Sequence, residues 1–226
     1  MMKKYPFLVL FFVVFASAQT YHFDNFIYYK TERFEEILTL ENYNFFYNSK
    51  NKSISISVIA KGNKKIAMLF DDNTKIKHVY TVIEKDNQLN FFYKHSSKLP
   101  DFKILPKEED DVIEVTKIDS LKFIAIVYEN KKKKKKIRNI KLELIPSDFN
   151  KINVGADYSR SEEIDLALEK LLPQNKTFII SIKESYNKFN KLVGKTTLEE
   201  LIKVDLSISV PQNLIWKEYD YWKDFD

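Results

Sequence analysis

Between Tyr21 and His95 the connections between apolar runs are too short for anything but antiparallel strands. A parallel crossover takes about a dozen residues or more. Here Ser49-Lys50-Asn51, Gly62-Asn63-Lys64-Lys65 and Asp71-Asp72-Asn73-Thr74 make the turns. The runs between them are rich in Ile, Val, Phe, Tyr and Thr, which suits strands. Ile54, Ile56 and Val58 alternate with Ser55 and Ser57, the pattern of a strand with one dry and one wet face. A longer loop over 96–111 carries Pro100, Pro106 and the acids Glu108–Asp111. Sheet resumes at Asp111–Asp119 and continues through Leu121–Asn130 and Ile137–Pro146.

After Pro146 the pattern changes. Ser161–Leu172 reads as an amphipathic helix with Ile164, Leu168, Leu171 and Leu172 on one face, stopped by Pro173. Thr177–Tyr186 reads as a strand. Thr196 stands three residues before Glu199, a capping-box spacing that predicts a second short helix over 196–204. A last strand follows at Leu206–Pro211, and the aromatic tail with Trp216, Tyr219, Tyr221 and Trp222 is expected to dock on the sheet. The expected fold class is α+β, mainly β. An antiparallel meander forms a curved sheet or partly open barrel, with two short helices in the C-terminal part. One domain spans 19–226, with the meander over 19–150 and a helix-strand-helix-strand completion over 151–226.

Residues 1–18 have the layout of a secretory leader. Lys3 and Lys4 precede the apolar run Tyr5–Phe15, and Ala16-Ser17-Ala18 places cleavage after Ala18. The run is shorter than the roughly 20 residues of a membrane span. The expected location is therefore the periplasm or the extracellular or cell-surface space, with no transmembrane segment in the mature chain. The chain has no cysteine, which excludes disulfides, thiolate metal sites and cysteine nucleophiles. Its formal net charge is +5. That excess is local: without the leader lysines and the run Lys131–Lys136 the remainder is acidic. Nucleic acid is not an expected partner, because such proteins spread positive charge along a face.

The hairpin turning at Asp86-Asn87 is the sharpest place chemically, since Asp and Asn tolerate the backbone that tight turns need. A two-residue turn there sets Val82 opposite Phe91, Tyr80 opposite Tyr93 and His78 opposite His95, all on one face. Tyr80, Tyr93 and Phe91 then form a candidate ligand wall. His78 and His95 form half of a candidate metal site, which needs a third ligand from His22, Asp71 or Asp72. The plainer reading is a cross-strand pair at the rim of the core. The chain has three glycines, too few for phosphate-cradling loops, and no Gly-x-Ser-x-Gly elbow. No cofactor is expected. Lys131, Lys132, Lys133, Lys134, Lys135 and Lys136 form the tip of a hairpin whose stem is core, with Phe123 facing Leu144, Ala125 facing Leu142 and Val127 facing Ile140. Lysines at such a tip keep the hairpin soluble, and they are the candidate contact for polyanions.

The stretches YHFDNFIYYKTE, YNSKNKSISISV, IAMLFDDNTKIKHVYTV and IVYENKKKKKKIRNIKLELIPSDFN, in that order, resemble a group of uncharacterised secreted β-rich proteins of the Gram-negative envelope. In architecture the meander is distantly similar to curved-sheet carriers of lipoproteins or lipids. The resemblance brings no activity and no site residues with it. The meander's many Phe and Tyr, and strands apolar on both faces such as Leu121–Tyr128, lead to the expectation of an exported, non-enzymatic envelope protein binding an apolar or amphipathic ligand, with lipid, lipoprotein or another envelope component as partner. The alternatives are a metal-assisted hydrolase built on the histidine pair and a cell-surface interaction protein.

Overall fold

The computed structural model describes residues 19–34, 39–61, 64–86, 88–100, 111–149, 152 and 161–220. The strands are β1 (Gln19–Arg33), β2 (Thr39–Tyr47), β3 (Ile54–Lys61), β4 (Lys64–Asp71), β5 (Ile76–Lys85), β6 (Gln88–Lys98), β7 (Val112–Asp119), β8 (Lys122–Tyr128), β9 (Lys136–Ser147), β10 (Thr177–Asn187) and β11 (Leu192–Val210). Among the described residues there is one helix, α1 (Ser161–Leu171), between β9 and β10. The strands form one antiparallel sheet in the order β6-β5-β4-β3-β2-β1-β11-β10-β9-β8-β7. It stays open, with β6 and β7 as its edges. Two meanders meet at a central seam where β1 pairs with β11, from Gln19 opposite Val210 to Arg33 opposite Gly194.

The second helix expected over 196–204 is instead part of β11. A helix cap contributes about 1 kcal/mol. Against it stand the β1 ladder, which runs along this segment, and the β10 ladder, which reaches Thr197; an internal helix would leave these groups unpaired. Thr196 lies opposite Thr31 on one side and Lys183 on the other, and the Thr31 and Thr196 hydroxyls are 3.0 Å apart. Val204, Leu206, Ile208 and Val210 carry the strand alternation that continues from this segment. A Cβ added at Gly194 would meet only the Glu32 carbonyl oxygen, at 3.8 Å, and the residue has no left-handed φ. Gly194→Ala is therefore expected to raise stability by about 0.4–1 kcal/mol in urea denaturation, by narrowing the unfolded ensemble.

The β1–β6 half is strongly rolled. Strands β1 and β5 are four spacings apart, about 19 Å on a flat sheet. Yet the Tyr21 and His78 ring centroids are 5.9 Å apart, and the Tyr21 hydroxyl donates to Asp71 Oδ2 at 2.9 Å. The roll encloses Phe23, Phe46, Ile56, Leu69, Tyr80 and Val82, joined by Ile208 and Val210 from β11. The register irregularity between Phe23 and Asn25 accompanies the turn of Tyr21 and Phe23 into this core.

The β7–β10 half buries the other face. Leu142 lies opposite Lys183, which lies opposite Thr196, which lies opposite Thr31. Thr31 is an odd number of places from Tyr28, so this side faces away from the rolled core. Phe123, Ala125, Ile140, Leu142 and Leu144 pack there against Ile164 and Leu168 of α1. Glu162 and Glu163 in the first turn and Lys170 in the last suit the helix dipole. Of the expected apolar face, Ile164 and Leu168 are buried, while Leu171 is exposed and Leu172 packs partly.

The tail does dock on the sheet, and it wraps the β6 edge. Leu214 packs into the rolled core. Ser96 N–H donates to Ile215 O at 2.8 Å and Lys217 N–H donates to Ser96 O at 2.9 Å, forming a single parallel bridge rather than a strand. Further on, the Tyr219 ring lies 4.2 Å from Nζ of Lys77, a residue on the opposite face from its neighbour His78. The expectations for residues 1–18, Asn87, Tyr221 and Trp222 lie outside the described residues. Among the described residues no helix is long and apolar enough to cross a membrane.

Candidate functional site

Cross-strand pairing writes one row across seven strands on the inner face. Glu200 is opposite Tyr28, Tyr28 opposite Asn44, Asn44 opposite Val58, Val58 opposite Ala67, Ala67 opposite Tyr80, and Tyr80 opposite Tyr93. Directly opposed residues share a face and touch. The middle and far parts of the row are filled by the rolled core. At the β11 end the row opens into a cleft of about 340 Å³. Phe26, Tyr28, Val58 and Ala60 supply apolar wall; Asn44, Lys65 and Glu200 supply polar groups. Phe26 and Val58 belong to the rolled core as well, so cleft and core are one continuous apolar surface. Lys65 forms an ion pair with Glu84.

Tyr80, Tyr93 and Phe91 share this inner face in the expected register, with Tyr80 opposite Tyr93 and Val82 opposite Phe91. Lys85 lies opposite Gln88, and Asp86 between them has a φ of 54°. Tyr80 makes edge contacts with Phe91 and Tyr93 at centroid distances of 6.4 and 5.8 Å. Tyr80 itself is buried, and Phe91 and Tyr93 are partly so. None of the three lines the cleft.

The histidines depart from the expected register. A bulge between Val79 and Tyr80 sets His78 opposite Ser96 and His95 opposite Val79. Because neighbours along a strand alternate faces, His78 points into the rolled core and His95 to the other side. They do not sit side by side. Among the described residues no group of three or more His, Cys, Asp or Glu side chains could hold a metal. His22 Nδ1 lies 2.8 Å from Ser207 Oγ, and Asp71 accepts from Tyr21 and from the Asn73 and Thr74 amides of its own turn.

His78 instead begins a polar chain that runs from the buried interior to the tail. Its Nδ1 lies 2.7 Å from Ser96 Oγ, which lies 2.7 Å from the Tyr93 hydroxyl, which accepts from the Ile215 amide of the tail at 3.2 Å. Burial lowers the His78 pKa to about 4, against the pull of Asp71. Burial, with Tyr93 nearby, raises the Tyr80 phenol well above its usual range. Both are neutral near pH 7, so the inner face offers uncharged hydrogen-bonding groups beside apolar surface.

The lysine run is the tip of a hairpin, as expected, and all six side chains are exposed. The stem is core, but the register differs by two. Phe123 faces Leu142, Ala125 faces Ile140 and Val127 faces Arg138. A shift of two keeps every side chain on its face. The turn runs from Asn130 to Lys133, whose φ is 51°, and closes with Glu129 N–H donating to Lys135 O at 3.0 Å.

The cleft residues Phe26, Tyr28, Asn44, Ala60, Lys65 and Glu200 did not stand out in the sequence. They meet only through the summed register of several hairpins, and the pairing of β1 with β11 is invisible locally.

No family model and no curated protein matches this chain. Among solved structures, the chain is similar to a LolA superfamily protein from Nitrosomonas europaea. The likeness covers 82% of this chain and 87% of that one, at 10% identity and a TM-score of 0.30.

Proposed function

We propose that this is an exported, non-enzymatic envelope protein whose inner face binds a small apolar or amphipathic ligand. The observation that carries this reading is the cleft of about 340 Å³, continuous with the apolar core of the rolled sheet. Ligand pockets span about 300–1,000 Å³ and are mostly apolar with a few polar groups. The apolar part of the ligand lies along Phe26, Tyr28 and Val58, and its polar end meets Asn44, Lys65 or Glu200 at the rim. Export rests on the leader at residues 1–18, with cleavage after Ala18.

The test is titration with a fluorescent fatty acid. The wild-type chain is expected to bind it, and Ala60→Trp, which fills the cleft from an exposed position, to weaken binding about tenfold or more. Unchanged thermal unfolding of the variant separates occlusion from misfolding. Absence of binding by the wild type, or equal binding by Ala60→Trp, removes the reading.

A further inference from the structure

Two hairpin tips at one end of the sheet combine into a feature that neither has alone. The β8–β9 tip carries Lys131–Lys136. The β10–β11 tip is Lys188-Phe189-Asn190-Lys191, closed by Asn187 N–H donating to Lys191 O at 3.0 Å. Strands β9 and β10 are neighbours, and Arg138 lies directly opposite Asn187. The tips therefore project from the same end of the sheet, with the strands that bear them about 4.8 Å apart.

The two tips themselves are predominantly basic: Lys131–Lys136, Arg138, Lys188 and Lys191 stand against Glu129, with Glu114 reaching across from β7 and Asp111 and Glu32 on the flanking strand ends. Glu114 pairs with Lys133 and Glu129 pairs with Lys135 at 2.7 Å. Phe189 stands among these cations and is 78% exposed, the most exposed of the large apolar side chains at the described positions. Lys188 Nζ lies 5.0 Å from its ring centroid. A solubilising charge run needs no protruding phenylalanine beside it. A site for free polyanions needs none either.

We propose that this end of the sheet docks on the surface of a bilayer containing anionic lipid, with the lysines against the headgroups and Phe189 inserted among them. Basic clusters of this size bind anionic leaflets, each lysine near the surface adding about 1 kcal/mol, or about fivefold in affinity. An aromatic side chain at headgroup depth adds an apolar contribution that salt does not screen. The occupant is a lipid surface rather than a nucleic acid or an acidic protein, because the basic residues are gathered at one blunt end around an apolar point.

The experiment is co-sedimentation of the chain from Gln19 onward with phosphatidylcholine vesicles, with and without phosphatidylglycerol. Binding is expected only to the anionic vesicles and is expected to weaken as salt rises. Substituting Lys131, Lys132, Lys134 and Lys136 by Gln leaves the two ion pairs of the tip intact and is expected to cut binding more than a hundredfold. Phe189→Ser is expected to weaken binding about tenfold and to leave the salt dependence as it was. Both variants change exposed positions, so circular dichroism should show an unaltered fold. Equal binding by Phe189→Ser overturns the proposal in favour of a general polyanion site. So does full competition by a short DNA duplex. Equal sedimentation with neutral vesicles, or none with either, overturns it outright.

Discussion

Phe23→Ala is expected to lower the free energy of unfolding by about 3–5 kcal/mol, and Phe123→Ala by about the same amount. Both side chains are essentially inaccessible, at 1% and 0% exposure. Each leaves a void of several carbon atoms that the surrounding strands fill only in part. The two residues serve different cores. Phe23 packs within the rolled half, and Phe123 packs under α1 on the opposite face. Since a domain of this kind has about 5–15 kcal/mol in all, either change consumes a large share. The strands of both halves are joined without a break through β1, β11 and β10. Urea unfolding followed by circular dichroism should therefore show one transition in each variant, at a lower midpoint with an unchanged slope. Two separated transitions in either variant would mean that the halves unfold independently.

Acid should destabilise the protein through His78. Its folded pKa of about 4 lies below the usual 6.5 because burial penalises the imidazolium. As pH falls below about 6.5 the unfolded chain takes up the proton first, so folding loses ground. The contribution is complete above that pH, declines through the window, and falls no further below about 4. Across the window the loss from this group is about 3 kcal/mol. His78→Gln should start less stable at pH 7, having lost its place against Ser96 Oγ. Its stability should then fall less between pH 7 and pH 4.5 than that of the wild type. Carboxylates away from this site are common to both chains, so the difference between their urea midpoints reads the imidazole together with its coupling to Asp71. Parallel pH profiles would show that His78 carries no such penalty.

The strand content was legible because its signals are local. Ile54, Ile56 and Val58 alternate, and Asp86 does adopt the positive φ its turn needs. The lysine tip was legible for the same reason, and its two-residue register offset left the faces unchanged. Two local signals misled. Thr196 and Glu199 spell a helix start, but Thr196 is held between β1 and β10, and the chain beyond it stays paired with β1 as far as Val210. The histidine register depended on a perfect ladder, and one bulge beside Tyr80 turned His95 to the other face. The cleft had no local signal at all. It is assembled from β11, β1, β2, β3 and β4, and the pairing of the first strand with the last has no trace in spacing or composition.

That central seam also governs the order of events in time. Gln19 meets Val210, so the middle of the sheet cannot form until nearly the whole chain is available. The β2–β6 hairpins can zip early, each over a short loop, but they then wait with the β1 flank open. Contacts of such long sequence separation slow folding, because loop closure is paid before they reward it. Formation of the β1–β11 seam should be the slow step, and the interval before it is when an unpaired β1 is available to a chaperone or to another copy of the chain.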